Sequence, residues 1–460
     1  MVMQDLLGHI VLPPPTRKGV GRRGSDARAR GSQQFARWTE ILKPPWLRVP
    51  AVFSAEGSRS PRMSDLPRTV SHVNYNTEEK FRAVSWKRST PTLPASARVP
   101  APYVGKDGKP GHKAYDFCVP SQHAALSLLP EVRQGALDLF ADLQIPWHAG
   151  INGGPSNHLL SSQVQCVNAL GQMVSDPSRI VGAFGDLLGI GEVLQIEPGR
   201  YLTFEYIGPT DFFGEVPGGQ RIRGAHCTSV DAAFVHRGLD DVVELVLVEW
   251  KYTESYPARR PDLAKDAVRR RRYGAAFADP QGPVRADVLA FEFVLDEPFY
   301  QLVRQQLLAH ALEQSGAEGA ARVRVVHVLS PDNAAYQESM WRPEHRALGD
   351  TVSQAWQQLL RRRDRFVSMD SALFLDPTIT SWEYCNRYGA PLIHDLPELL
   401  NAYELDDADG LPDSVDFEGE LIVEEEGLEL QLGRFGTLLA YPFTIAELNE
   451  LVAELEAEVG

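Results

Sequence analysis

Two acids and a lysine, Asp231, Glu249 and Lys251, stand where a folded chain has little structural use for charge. Residues 244–251 read Glu-Leu-Val-Leu-Val-Glu-Trp-Lys. Side chains alternate along a strand, so Leu247, Glu249 and Lys251 share one face and Val246, Val248 and Trp250 the other. Both faces are largely apolar, the pattern of a buried central strand. A carboxylate and an ammonium there each lose hydration worth several kcal/mol, and a divalent cation is a partner strong enough to offset it. Upstream, residues 228–236 read as a second strand with Asp231 set among Val230, Ala232, Ala233, Phe234 and Val235. An acid on one strand followed by acid-x-Lys on the next suits metal-dependent phosphodiester chemistry. Asp231, Glu249 and a main-chain carbonyl near Trp250 would bind Mg2+ or Mn2+, with waters filling the remaining oxygen positions. The metal would polarise a phosphate and acidify a bound water. Lys251 would orient that water and offset charge developing on the phosphate. Glu205 is a candidate extra ligand, with an exposed strand acid as the plainer reading. The plainer reading of an isolated Glu-x-Lys is a surface ion pair on an edge strand, worth under about 1 kcal/mol; the apolar run and the upstream acid argue against it here.

The elements expected to position these residues run in a definite order. The sequence predicts a helix over 131–143, a second over 159–174, a short one after Pro177, and strands at 201–207, 228–236 and 244–252. A basic helix over 261–277 and a strand over 288–295 follow. Helix, three strands, helix, strand, with the acids on the second and third strands, resembles the PD-(D/E)xK nuclease superfamily. Asp231 matches its first acid, Glu249 its second and Lys251 its lysine. Further segments are similar to a bacterial restriction-endonuclease-like family: 115–120 (Tyr-Asp-Phe-Cys-Val-Pro), 145–148 (Ile-Pro-Trp-His), 158–163 (His-Leu-Leu-Ser-Ser-Gln), 250–254 (Trp-Lys-Tyr-Thr-Glu) and 329–333 (Leu-Ser-Pro-Asp-Asn). The resemblance spans about residues 115 to 400. It implies an α/β fold with an αβββαβ core and a mixed sheet, helical additions, and a Mg2+-dependent or Mn2+-dependent endodeoxyribonuclease acting on foreign DNA. Many members of the superfamily carry an additional acid on the first core helix. Ser162, Gln163 and Gln165 stand there instead, which favours a lone or loosely held second metal.

Candidate DNA contacts are Lys265, Arg269 and Arg272, which share one helix face at i, i+4 and i+7, and Gln163 and His158 at the start of the first core helix. A cationic row of this kind holds phosphates in a salt-dependent way; its plain alternative is a solvated face. Arg269 stands four residues before Tyr273, where exonuclease-like members have Gln before Tyr, so an exonuclease assignment gains no support. The glycine-rich stretch 182–191 matches no phosphate-cradling motif and reads as a turn.

Charge is distributed unevenly over the 460 residues, whose net charge is −15. Residues 1–70 carry twelve Lys or Arg against five acids, whereas residues 404–460 carry seventeen acids against Arg434 alone. The total therefore says little about a nucleic-acid partner, because local patches decide. Expected divisions are a disordered basic tail (1–62), an extended segment (63–114) with order beginning near Tyr115, a nuclease core (115–300), an α/β extension (301–403) and a small acidic C-terminal α+β region (404–460). The extension holds a helix over 298–314, a strand over 322–329 and a helix over 346–365. The acidic region holds strands near 420–423 and 428–432 and a helix over 444–458. Four scattered cysteines form no C-x-x-C pair, and no apolar stretch is long enough to span a bilayer. A cytoplasmic protein follows as the expectation, with a homodimer among the assemblies allowed. Two other functions fit the same residues: a catalytically silent DNA-binding module, and a metal-independent hydrolase using Asp231 and Glu249 as an acid–base pair.

Overall fold

A computed structural model of the chain describes residues 75–389, except 217 and 259–261, together with strands at 420–424, 427–432 and 436–440. The expected basic tail at 1–62 and terminal helix at 444–458 lie outside the described residues. Order does not wait until Tyr115. Helix α1 (Tyr75–Ser89) is followed by a hairpin of β1 (Ala101–Val104) and β2 (Pro110–Tyr115), antiparallel with Ala101 opposite Tyr115. The sequence hides α1 because its inward side is charged: Glu79, Lys80 and Lys87 are buried beside Phe81, Val84 and Trp86, so no clean apolar period marks it. Lys87 shows why those charges are there. Its Nζ donates to the carbonyls of Val99, Asp116 and Cys118 at 2.8, 2.7 and 2.6 Å. Asn157 ties the same hairpin from the other side, accepting from the Val104 amide at 3.1 Å and donating to the Pro102 carbonyl at 2.8 Å.

Helices α2 (Pro130–Asp142), α3 (Ser162–Leu170) and α4 (Pro177–Leu188) come next. Ser161 caps α3 by accepting from the Val164 amide, and Asp176 caps α4 with Pro177 at its first position, both standard start signals. The glycine-rich stretch 182–191 is therefore not a turn. It is the second half of α4, ended by Gly189 at φ 66, and the start of β3 (Ile190–Leu194). Strands β4 (Leu202–Tyr206), β5 (Val230–Gly238) and β6 (Val243–Trp250) follow.

Two helices, α5 (Leu263–Ala278) and α6 (Phe299–Ser315), make the crossover from β6 to the parallel strand β7 (Arg322–Leu329). The strand expected over 288–295 does not exist. Residues Phe291–Leu295 form a short 3-10 turn whose Phe291, Val294 and Leu295 are buried under α5 and α6. The last strand of the αβββαβ order is β7. An apolar run of eight residues fits a strand or a buried turn equally well by pattern alone. Beyond β7 lie three short helices, α7 (Ala334–Gln337), α8 (Pro343–Arg346) and α9 (Val352–Gln358), in place of one long helix over 346–365. Strand β8 (Phe366–Asp370) and α10 (Trp382–Tyr388) complete this part.

The result is a six-stranded mixed sheet in the order β3-β5-β6-β7-β8, with β4 also paired to β5. Strands β5 and β6 are antiparallel, whereas β6, β7 and β8 are parallel. On one face Phe204, Phe234, Val248 and Trp250 join the core of α1 to α4. On the other Ala233, Leu247, Val323 and Val325 join the core of α6 and α9. Leu245, Val246, Leu247 and Val248 are fully buried, each contributing about 1.5–3 kcal/mol, so β6 is a rigid rod on which to mount Glu249. In the acidic C-terminal region, β9 (Glu420–Glu424), β10 (Gly427–Leu432) and β11 (Gly436–Ala440) form a separate antiparallel sheet. Among the described residues no helix is long and apolar enough to cross a membrane.

Replacing Lys87 with Met keeps the stem and orphans three carbonyls, each costing about 1–3 kcal/mol when left unpaired and buried. Urea denaturation is expected to show a loss of roughly 3 kcal/mol or more; a loss below about 0.5 kcal/mol would mean that the hairpin does not depend on this anchor.

Candidate active site

Sheet register brings the acids together. On β4 and β5, Phe204 pairs with Ala232 and Tyr206 with Val230, which sets Glu205 opposite Asp231. On β5 and β6, Ala232 pairs with Val248, so the next step along both strands sets Asp231 beside Glu249. Glu249 in turn pairs with His327 on β7. Three carboxylates therefore occupy one cross-strand row on three adjacent strands, in a cleft of about 730 Å³ that Lys251 also lines. Glu249 is 2% exposed and Lys251 5%. Both are buried, as the alternation in the sequence requires.

Each charge in the row has a specific partner. The Trp250 amide donates to Asp231 Oδ2 at 2.7 Å. Lys251 Nζ donates to Glu249 Oε1 at 2.7 Å and to Gln301 Oε1 at 2.8 Å. Gln301 Nε2 donates to the same Glu249 oxygen at 2.6 Å, and Gln305 Nε2 donates to Oε2. Glu205 accepts from Ser229 Oγ at 2.8 Å and from Gln163 Nε2 at 2.9 Å. Burial pushes the Asp231 carboxyl well above the usual carboxylate range, and the charges of Glu249 and Glu205 push it further. Burial also raises Glu205, against its bonds from Ser229 and Gln163. For Lys251 burial favours the neutral amine, but Glu249 together with Tyr256, Glu254 and Tyr336 outweighs it and the ammonium is held well above its ordinary range.

Glu205 has φ 47, a left-handed conformation rare outside glycine. Gly224, at φ 70, faces it so closely that a Cβ there would lie 3.1 Å from the Glu205 carboxyl carbon. Backbone strain at a non-glycine residue of a functional row is a recurrent feature of sites that must aim a side chain. Trp250 sends its ring to the opposite face, where Nε1 donates to Gln165 at 2.8 Å.

The donor chemistry of this row fits a divalent cation. It offers hard oxygen ligands whose mutual repulsion a cation would relieve. Among the described residues no group of three or more His, Cys, Asp or Glu is gathered as a ready-made metal cluster. A site using two carboxylates, a main-chain carbonyl and waters needs fewer side chains than that.

Of the expected DNA contacts, Gln163 and His158 line the cleft and Lys265, Arg269 and Arg272 do not. Lys265 is exposed and pairs with Asp262 at 3.4 Å. Arg269 donates to the Leu295 carbonyl and lies over the Tyr300 ring, and Arg272 donates to the Glu215 carbonyl. Two of the three cations on that helix face thus join α5 to its neighbours, outside the lining of the cleft. Gln301 and Gln305 escaped the sequence reading. Their i, i+4 spacing, which puts both on one face of α6, is the signal that was there to find.

The profile of a family described as Restriction Endonuclease associating with ARP matches residues 79–389. No curated protein and no solved structure matches the chain.

Asp231 is favoured in its protonated form by the fold, so its contribution to stability is present at low pH and is lost as pH rises through its elevated pKa. Asp231→Asn accepts the same Trp250 amide without that charge. In chelator, the variant is expected to melt a few degrees (roughly) above the native protein at alkaline pH, with the gap closing toward acidic pH. Thermal melts across pH check this; a variant that melts lower throughout would show that the carboxylate is not crowded.

Proposed function

Because the chain belongs to the family described as Restriction Endonuclease associating with ARP, we propose that it is a metal-dependent endonuclease that cleaves DNA, with defence against foreign DNA as its role. The cross-strand row of Glu205, Asp231 and Glu249, with Lys251 bonded to its last member, is the observation that carries this reading. Asp231 and Glu249 would hold Mg2+ or Mn2+ with the main-chain carbonyl of Trp250, and Glu205 would stand by as a further ligand. A divalent ion in that position supplies Lewis-acid polarisation of the phosphate and a water that ionises near neutral pH.

The chain's own residues do the rest. Lys251 is a fixed positive charge at the floor of the cleft, and Gln301 holds its ammonium and Glu249 Oε1 together so that neither swings free. That ammonium is aimed where negative charge grows on a phosphate under attack, and it needs no reorganisation at that moment. Gln305 fixes the other Glu249 oxygen. Gln163 takes the place of an acid on the first core helix; it steers Glu205 through its amide nitrogen, and its oxygen accepts from the His148 amide at 2.8 Å. An acid–base hydrolase would leave Lys251 without a task, which disfavours that alternative.

Plasmid nicking in Mg2+, in Mn2+ and in chelator tests the proposal. Cutting is expected with either metal and none in chelator. Lys251→Met should cut about 10²–10³-fold more slowly, and Asp231→Ala and Glu249→Gln should not cut. Equal cutting by all four proteins would remove these residues from the reaction, and binding without cutting in any metal would favour the silent DNA-binding alternative.

A further inference from the structure

Aromatic side chains also line this cleft, and nothing in the proposed hydrolysis uses them. Tyr103 from β1, Tyr115 from the end of β2, and Phe117 and His158 just beyond line the same cleft as Asp231 and Lys251. Tyr115 and Phe117 stack with centroids 5.1 Å apart, and the His158 ring sits edge-on to Tyr103 at 5.3 Å and to Phe117 at 5.0 Å. Tyr103, Tyr115 and His158 are only partly buried, so ring surface faces the cleft. Above them the hairpin carries exposed Lys106, Lys109 and Lys113 against Asp107. The Lys113 ammonium lies 5.9 Å from the centre of the Tyr115 ring.

We propose that this hairpin is a stacking platform for unpaired bases and that the substrate enters the cleft as single-stranded DNA. The inference rests on the nuclease reading of the carboxylate row and adds the form of DNA. In a duplex the base faces are already stacked on one another and cannot meet a protein ring. Rings beside a line of cations are the combination that binds a single strand without regard to sequence. The space agrees: about 730 Å³ is the scale of a small-ligand pocket, roughly 300–1,000 Å³, room for a nucleotide or two. Depth agrees as well. Glu249 and Lys251 are almost fully buried, so a phosphate must descend to them, which a flexible strand can do and a stiff paired backbone cannot. The anchors of the hairpin, Lys87 and Asn157, keep the platform at a fixed height over the floor.

The test is fluorescence anisotropy with labelled oligonucleotides on the full chain in chelator, so that binding is read without cleavage. Three probes are compared: a single strand, its duplex, and the same single strand with abasic sites. The single strand is expected to bind at least about ten-fold more tightly than the other two, because each stacked base contributes about that factor. Tyr115→Ala and Tyr103→Ala should each lose about ten-fold on the single strand and nothing on the abasic strand, whereas Tyr115→Phe, which keeps the ring, should bind as the native protein does. Duplex binding equal to or tighter than single-strand binding, or an abasic strand bound as well as the intact one, would overturn the proposal. If the native protein shows the expected preference and no metal yields cutting, the platform stands and the nuclease reading falls. If it cuts duplex in metal while the alanine variants bind and cut like it, the nuclease reading stands and the platform falls.

Discussion

Like charges in a dry place are the constraint around which this molecule is built. Three carboxylates on adjacent strands repel one another, and burial strips them of the water that would screen them. A sheet would not close over such a row without compensation from every side. The structure supplies it from four directions: the Trp250 amide along the strand, Lys251 from the end of the same strand, Gln301 and Gln305 from α6, and Ser229 and Gln163 toward Glu205. These are neutral donors except for one ammonium, and burial with mutual repulsion pushes the Asp231 and Glu205 carboxyls toward their protonated forms. Under the reading proposed above, a divalent cation would relieve that repulsion.

The compensation works only if its donors are stationary. Both faces of β6 are packed, with Val246 and Val248 in one core and Leu245 and Leu247 in the other. Helix α6 buries Leu302, Val303 and Leu308 and thereby brings its two glutamines to Glu249 with little side-chain freedom left to lose. On the opposite side of the cleft the same logic recurs with different chemistry. Lys87 there spends its charge on carbonyl oxygens of the hairpin segment, and Arg387 holds the Ser127 and Leu159 carbonyls while lying over the Trp86 ring. Lys87 and Arg387 are thus both buried cations that clamp main-chain oxygens.

Legibility in the sequence followed from how local each pattern is. The alternation of 244–251 is a nearest-neighbour property, so the burial of Glu249 and Lys251 and the faces of β6 could be read directly. The pairing of Asp231 with Glu249 needed only the assumption that successive strands are neighbours. Helix α1 was hidden because its buried face is polar, and its lysine and glutamate find partners that only the folded chain brings near. The strand expected at 288–295 failed because it was inferred from side chains whose destinations are set by packing, and the tertiary contacts of Phe291 decided otherwise. The glutamines of α6 lie some fifty residues from Glu249 in sequence, across a crossover of two helices, and no local rule connects them.

Trp250 has its two ends in different layers. Its amide is bonded to Asp231 in the cleft, and its indole is bonded to Gln165 within α3 and meets the Phe374 ring edge-on at 4.9 Å. Gln165 and Phe374 therefore hold the side chain of the residue whose amide meets the first acid, and a packing defect on that face of the sheet would be felt at Asp231 with all three acids unchanged.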